Sequence, residues 1–280
     1  MKTKANAANL EARINTKTES INYINYLNLD ELLSLQVPQS SPPVHSETLF
    51  IITHQTSELW FKQLLHEFEK IKVDFHNNNL YEAIHTFKRV CTIMKVLVGQ
   101  IDAIETITPM EFASFRSCLK TASGFQSLQY WKLEFILGNK RSEIINSQTD
   151  ASTRVQLEQL LHEPSVYSYF YDFLEFWGVA IPKELRSRDH SLPTLPHPAV
   201  QDGLLKLYLE AFNVTILLEL MLDFDQSFQQ WRYRHIKLVE RNIGNALGTG
   251  KSTGVSYLMQ SAFRTFFPDL LAIRSRFYSR

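Results

Sequence analysis

Cysteine is almost missing from this chain of 280 residues. Cys91 and Cys118 are too few and too far apart for a disulfide framework or a cysteine-built metal site. Glycine and proline are scarce too, and neither occurs between Pro43 and Gly99 or between Gly203 and Gly244. Both gaps predict long helices; the second, if unbroken, would run roughly 60 Å at about 1.5 Å per residue. Net charge is absent, since 29 basic residues balance 29 acidic ones, so nothing points to nucleic acid or an anionic membrane as partner. No apolar run is long enough to span a bilayer, and the opening MKTKANAANLEARINTKTES lacks the apolar centre of a signal peptide. A cytoplasmic protein is the expectation. Period-two alternation is missing as well, so the chain reads as all-α.

What is present is apolar and helical in period. Residues 1–20 are polar and aperiodic and read as a disordered tail, which leaves residues 21–280 as a single domain. Tyr23, Tyr26 and Leu27 then precede an acidic, leucine-rich turn of helix, and tyrosines so spaced are more often packing residues than site residues. A proline loop leads to a helix for which Ser46 is the expected N-cap. Along it Phe50, His54, Ser57, Phe61, Leu64, Phe68, Ile71 and Phe75 recur at steps of four and three, which is one helix face. His54 and Ser57 are the polar members of that stripe, and each needs a hydrogen-bond partner there. Glu82 and His85 have a carboxylate-bridged metal spacing, but a di-iron bundle needs a second such pair, so they read as a solvated face. Thr108, Pro109 and Glu111 make a helix start, and Arg116 follows Phe115 on that helix. Ser123 to Gln126 reads as a loop and residues 141–155 as a polar connection.

A long helix is expected from Leu204 to Gly244. On it Leu217, Met221, Phe224, Phe228, Trp231, His235 and Leu238 form one apolar stripe. His235 on such a face is either a core histidine satisfied by a carbonyl or a ligand to metal or haem. The following GTGKSTG looks like the end of a phosphate-binding loop. That motif needs glycine where Asn245 stands, and a strand rather than a helix before it.

Taken together, FIITHQTSELW, TPMEFASFR, SGFQSLQY, LGNK, WRYRH and the GTGKSTG loop resemble the tryptophan 2,3-dioxygenase family, in the family's order over residues 21–280. The resemblance implies an all-helical bundle of long helices enclosing one haem b per subunit, in an intertwined homotetramer. It implies insertion of both atoms of O2 across the indole C2–C3 bond of L-tryptophan, giving N-formylkynurenine. By match of motif, His235 is the proximal iron ligand and His54 the catalytic distal histidine that accepts the indole N–H. Arg116 clasps the substrate carboxylate, Thr249 partners the ammonium and carboxylate, and Phe50 walls the indole pocket. Ser123 hydrogen-bonds near the haem, and Tyr23 and Tyr26 reach a neighbouring subunit's site. The glycine loop is expected to close over substrate.

The chain departs from the family at Lys251, Thr253, Trp131, Ser46 and Ile101, where glycine, serine, arginine, aspartate and tryptophan are expected. Three readings follow. One is a tryptophan 2,3-dioxygenase; another is a haem oxygenase of this fold for a substituted tryptophan or other indole. The third is a haem or tryptophan sensor without turnover. His54, Arg116 and Thr249 together favour an enzyme.

Overall fold

In the computed structural model, residues 21–244, 246, 248, 258–259 and 261–278 are described, and no strand occurs among them. The chain divides into a short unit, Met1–Pro38, and a large one, Gln39–Arg280. In the short unit, α1 (Tyr23–Leu27) and α2 (Leu29–Leu32) bury none of their residues. Asn22 caps α1 by accepting from Asn25 N–H, and Asn28 takes a left-handed conformation between the two helices.

The large unit is built on three long helices. α3 (His45–His76) and α4 (Leu80–Ile104) are antiparallel neighbours joined by a turn at Asn77–Asn79, where Asn78 adopts a positive φ of 54°. α12 (Phe212–Ile243) packs along α4. Their apolar stripes meet in one core that includes Phe61, Leu64, Phe68, Phe87, Met94, Met221, Phe224 and Phe228. α9 (Val166–Phe176) closes it from α3's side with Tyr167, Phe170 and Phe173. Glu82 and His85 are both exposed on α4, as the sequence predicts.

Shorter helices fill in around the three. α5 (Pro109–Arg116) begins with a reciprocal cap in which Thr108 Oγ1 accepts from Glu111 N–H and Glu111 Oε2 accepts from Thr108 N–H. α6 (Leu128–Ile136) carries Trp131 and Phe135 into a second apolar cluster with Ile144, Ile145, Leu157 and Leu161. Those last four belong to α7 (Ser142–Ser147) and α8 (Ala151–His162), so the expected polar connection is in fact two helices. Asp150 caps α8 by accepting from Thr153 N–H at 2.6 Å. Further on come the single turn α10 (Lys183–Arg186), α11 (Pro198–Glu210) and the C-terminal α13 (Pro268–Ala272).

Two helix boundaries differ from expectation. Ser46 is not the N-cap of α3; that position is Val44, two residues earlier. The preceding loop is tied to the helix start instead: Ser40 Oγ accepts from Val44 N–H, and buried Glu47 accepts from the N–H groups of Gln39 and Ser40. Ser46 is left to donate to Glu111 Oε1 at 2.7 Å. The long C-terminal helix, in turn, is two helices that break at Ala211. Tyr208 hydroxyl donates to Glu219 Oε1 at 2.6 Å, whereas eleven residues along a continuous helix span about 16 Å. Arg274 bonds both groups and secures the bend. No glycine or proline marks the break; packing of α11 against α13 and the C-terminal 3-10 turn imposes it.

Candidate functional site

At one end of the three-helix core the stripes of α3 and α12 stop meeting each other and open onto a cavity of about 310 Å³, within the range of small-molecule sites. A contact between Phe61 and Trp231, edge to face with centroids 5.5 Å apart, lies where the cavity begins. Beyond it Phe50, His54 and Ser57 from α3 and Trp231, His235 and Leu238 from α12 become cavity wall. α4 adds Gln100, Ile101 and Ile104, and α5 adds Phe112 and Arg116. Ser123, Gly124 and Phe125, which form a 3-10 turn rather than an open loop, and Tyr130 and Trp131 of α6 complete the described wall.

His54 leaves its ring open to the cavity, yet protein surrounds it closely enough that desolvation lowers its pKa. Nδ1 lies 2.7 Å from the carbonyl oxygen of Phe50. A carbonyl can only accept, so Nδ1 carries the proton and the neutral ring keeps a lone pair on Nε2. His235 is half-buried, and its pKa is pushed down to about 4, chiefly by burial and secondarily because His54 lies near enough to oppose a second proton in the site. Trp231 stacks on it with ring planes 5° apart, which fixes the imidazole's orientation. His235 has no hydrogen-bond partner among the described residues, which argues against a core histidine satisfied by a carbonyl. A neutral, unprotonated imidazole of this kind has the lone pair that a metal would need.

No group of three or more His, Cys, Asp or Glu able to hold a metal ion exists among the described residues. A metal on His235 would therefore bring most of its ligands with it, as a porphyrin does. The apolar lining, with isoleucines at 101 and 104 and aromatic rings at 50, 112 and 231, suits such a macrocycle.

Arg116 ends α5, half-buried, with its helix held by Phe115 in a ring cluster with Phe50 and Phe112. Ser123 Oγ accepts from Phe125 N–H, and Ser123 N–H donates to Gln126, so the start of the turn is capped reciprocally. Thus Phe50, His54, Arg116, Ser123 and His235, distant in sequence, share one cavity. Thr249, Lys251 and Thr253 lie outside the described residues, although Gly248 at the start of that loop lines the cavity. Tyr23 and Tyr26 belong to the other unit, where both rings are exposed.

Several wall residues are not evident from the sequence. Gln100 Nε2 donates to Ser57 Oγ, which donates on to the Thr53 carbonyl, so Ser57 finds its partners in protein. Glu58 accepts from Ser127 Oγ and Gln129 Nε2 and ties α3 to the start of α6. Trp131 and Ile101, two of the departures, are both buried in the wall, and the Trp131 indole N–H donates to the Phe125 carbonyl at 2.7 Å.

Fold and site together define a class: an all-helical protein whose apolar cavity combines two neutral imidazoles with a guanidinium. Comparison with known proteins gives the family. The model of the tryptophan 2,3-dioxygenase family matches residues 8–185 and 193–277. A relative named tryptophan 2,3-dioxygenase from Herpetosiphon aurantiacus is 44% identical over 258 residues, covering 92% of this chain and 99% of its own. Proteins of the same name from Serratia proteamaculans and Kineococcus radiotolerans are 38% and 40% identical, each covering 96% of this chain and 98% and 96% of their own. The chain belongs to the tryptophan 2,3-dioxygenase family.

No helix among the described residues is long and apolar enough to cross a membrane.

Proposed function

We propose that this chain is a tryptophan 2,3-dioxygenase: it joins L-tryptophan and O2, cleaving the indole C2–C3 bond so that each carbon ends as a carbonyl bearing one oxygen atom. The observation that carries this reading is the meeting of His54, His235 and Arg116, from three different helices, on one apolar cavity. The catalytic domain we take as residues 21–280.

His235 would hold the iron of haem b, and the haem, when bound, supplies redox-active iron for activating dioxygen. The chain's own residues do the rest. Arg116 presents a fork of N–H donors that matches a carboxylate and fixes the amino-acid end of the substrate. His54, its Nδ1 proton committed to Phe50, offers Nε2 to the indole N–H. Phe50 walls the ring, and the isoleucines exclude water. Ser123 is taken as a polar contact at the haem's edge, and Thr249 as the partner of the substrate's charged groups. A substituted tryptophan remains the second reading, because Ile101 leaves more room in the wall than the tryptophan expected there.

The test is to add O2 to protein reduced anaerobically with tryptophan and to follow N-formylkynurenine absorbance. Wild type should form it, and His235→Ala should lose stoichiometric haem and turnover. An unchanged ferrous spectrum and full activity in that variant would make His235 a core residue. A different oxidised indole would favour the second reading, and binding without product would favour a sensor.

We also propose that the enzyme is a homotetramer whose sites are completed between subunits by Tyr23 and Tyr26. Their support is the family resemblance and the exposure of both rings on α1, a helix that buries none of its own residues. Deleting residues 1–28 should raise KM sharply and weaken assembly with haem retained, while deleting 1–18 should do little. A fully active monomer after the longer deletion would rule the shared site out.

A further inference from the structure

Beside the cavity lies a charged group that the reading above leaves without a task. Glu134, on α6, is fully buried. Two guanidinium groups converge on it: Arg232 from α12 donates to Oε1, and Arg141 Nη2, from the residue preceding α7, lies 3.5 Å from Oε2. Arg232 is 3% exposed and Arg141 8%. Among the described residues neither arginine pairs with a second carboxylate, so the three buried charges sum to one net positive charge. The guanidinium nitrogens are short of acceptors as well. Arg141 Nε and Nη2 and Arg232 Nε have no hydrogen-bond partner among the described residues. Their other contacts are the Arg264 carbonyl, 2.7 Å from Arg232 Nη1, and aromatic faces. Arg232 lies 4.6 Å from the Phe228 ring and 4.8 Å from Phe266, and Arg141 lies 5.3 Å from Trp131.

Stability is a poor explanation for this arrangement. A buried ion pair is at best roughly neutral against apolar residues of the same volume, and a second guanidinium sharing the carboxylate adds desolvation without a full partner. The charge is, however, next to the site. Arg232 precedes His235 by three residues on the same helix and itself lines the cavity. Tyr130, another wall residue, lies close enough to Arg232 and Glu134 for both charges to act on its hydroxyl. Trp131, whose face Arg141 covers, is wall too, and it is the position where the family resemblance leads one to expect arginine. The positive charge missing from residue 131 is present on the far end of Arg141.

We propose that the Arg232–Glu134–Arg141 group tunes the iron held by His235, its net positive charge favouring the ferrous state over the ferric. The effect is Coulombic: a fixed positive charge in a low-dielectric wall disfavours the more positive oxidation state of a nearby centre. Neither arginine needs to touch the iron, so both act at a distance. This inference rests on the haem assignment made above.

The test is spectroelectrochemical titration of the haem-loaded protein, reading the one-electron iron couple. Arg141→Met removes the charge and keeps the bulk, and Arg141→Lys keeps the charge. Arg141→Met should lower the ferrous-to-ferric ratio at fixed potential by about tenfold, ~59 mV for a one-electron couple, while Arg141→Lys stays near wild type. Glu134→Gln removes the negative charge and should shift the couple in the opposite direction. Each variant tests a sign, so any that loads haem is informative even where another fails to fold. Equal shifts in the Met and Lys variants, no shift in either, or shifts of one sign for Arg141→Met and Glu134→Gln would make the group structural and overturn the proposal. Failure of the haem assignment itself looks different, since it appears as His235→Ala with an unchanged ferrous spectrum.

Discussion

At His54 the placement of one proton decides what the ring can do. With Nδ1–H given to the Phe50 carbonyl, only Nε2 faces a ligand, and only as an acceptor. Protonation would remove that acceptor, and desolvation by the surrounding protein makes protonation harder than for an ordinary histidine. The folded pKa is lowered from 6.5, so the neutral form persists as pH falls through 6.5 and is lost only further down. The acid limb of kcat/KM for tryptophan should therefore lie below pH 6.5 and disappear in His54→Ala. An acid limb unmoved by that substitution would belong to another group. His54 and His235 were legible in the sequence for one reason: each is polar on an otherwise apolar stripe. Gln100 and Glu58 were not. Their partners Ser57, Ser127 and Gln129 lie 43, 69 and 71 residues away, and periodicity carries no information across such distances.

Among the helices, periodicity served best where one face meets core or cavity along its whole length. The stripes of α3 and α12 hold residue by residue. It failed where packing rather than composition sets the boundary. The break at Ala211 has no local breaker, and α7 and α8 bury few residues on short, otherwise polar helices. Gly203 shows the packing constraint on α11 most sharply. A Cβ there would sit 2.2 Å from Val179 Cγ1 and 2.9 Å from Cγ2, both on a side chain that is itself buried. Gly203→Ala should destabilise the protein by about 1–3 kcal/mol despite alanine's better helix propensity, because overpacking outweighs it. Thermal unfolding would measure this, and a rise in Tm would show that Val179 can move aside. Gly203→Ala combined with Val179→Ala should recover part of the loss.

Across the whole molecule, α3 and α12 each divide into a half that packs against protein and a half that faces the cavity. The consequence is a gradient of local opening along single, unbroken helices. Amide hydrogen exchange in the haem-free chain should be slowest around Phe68 and Phe224, which are fully buried, and much faster around His54 and His235. Ligand that binds only the closed form should raise protection at the fast ends, by an amount that grows with its concentration above Kd, and leave the slow ends nearly unchanged. Uniform protection along both helices before loading would mean that the open half has stability of its own. With the gradient present, whatever fills the cavity is the last piece of the protein's interior, and its arrival completes folding as well as equipping a site.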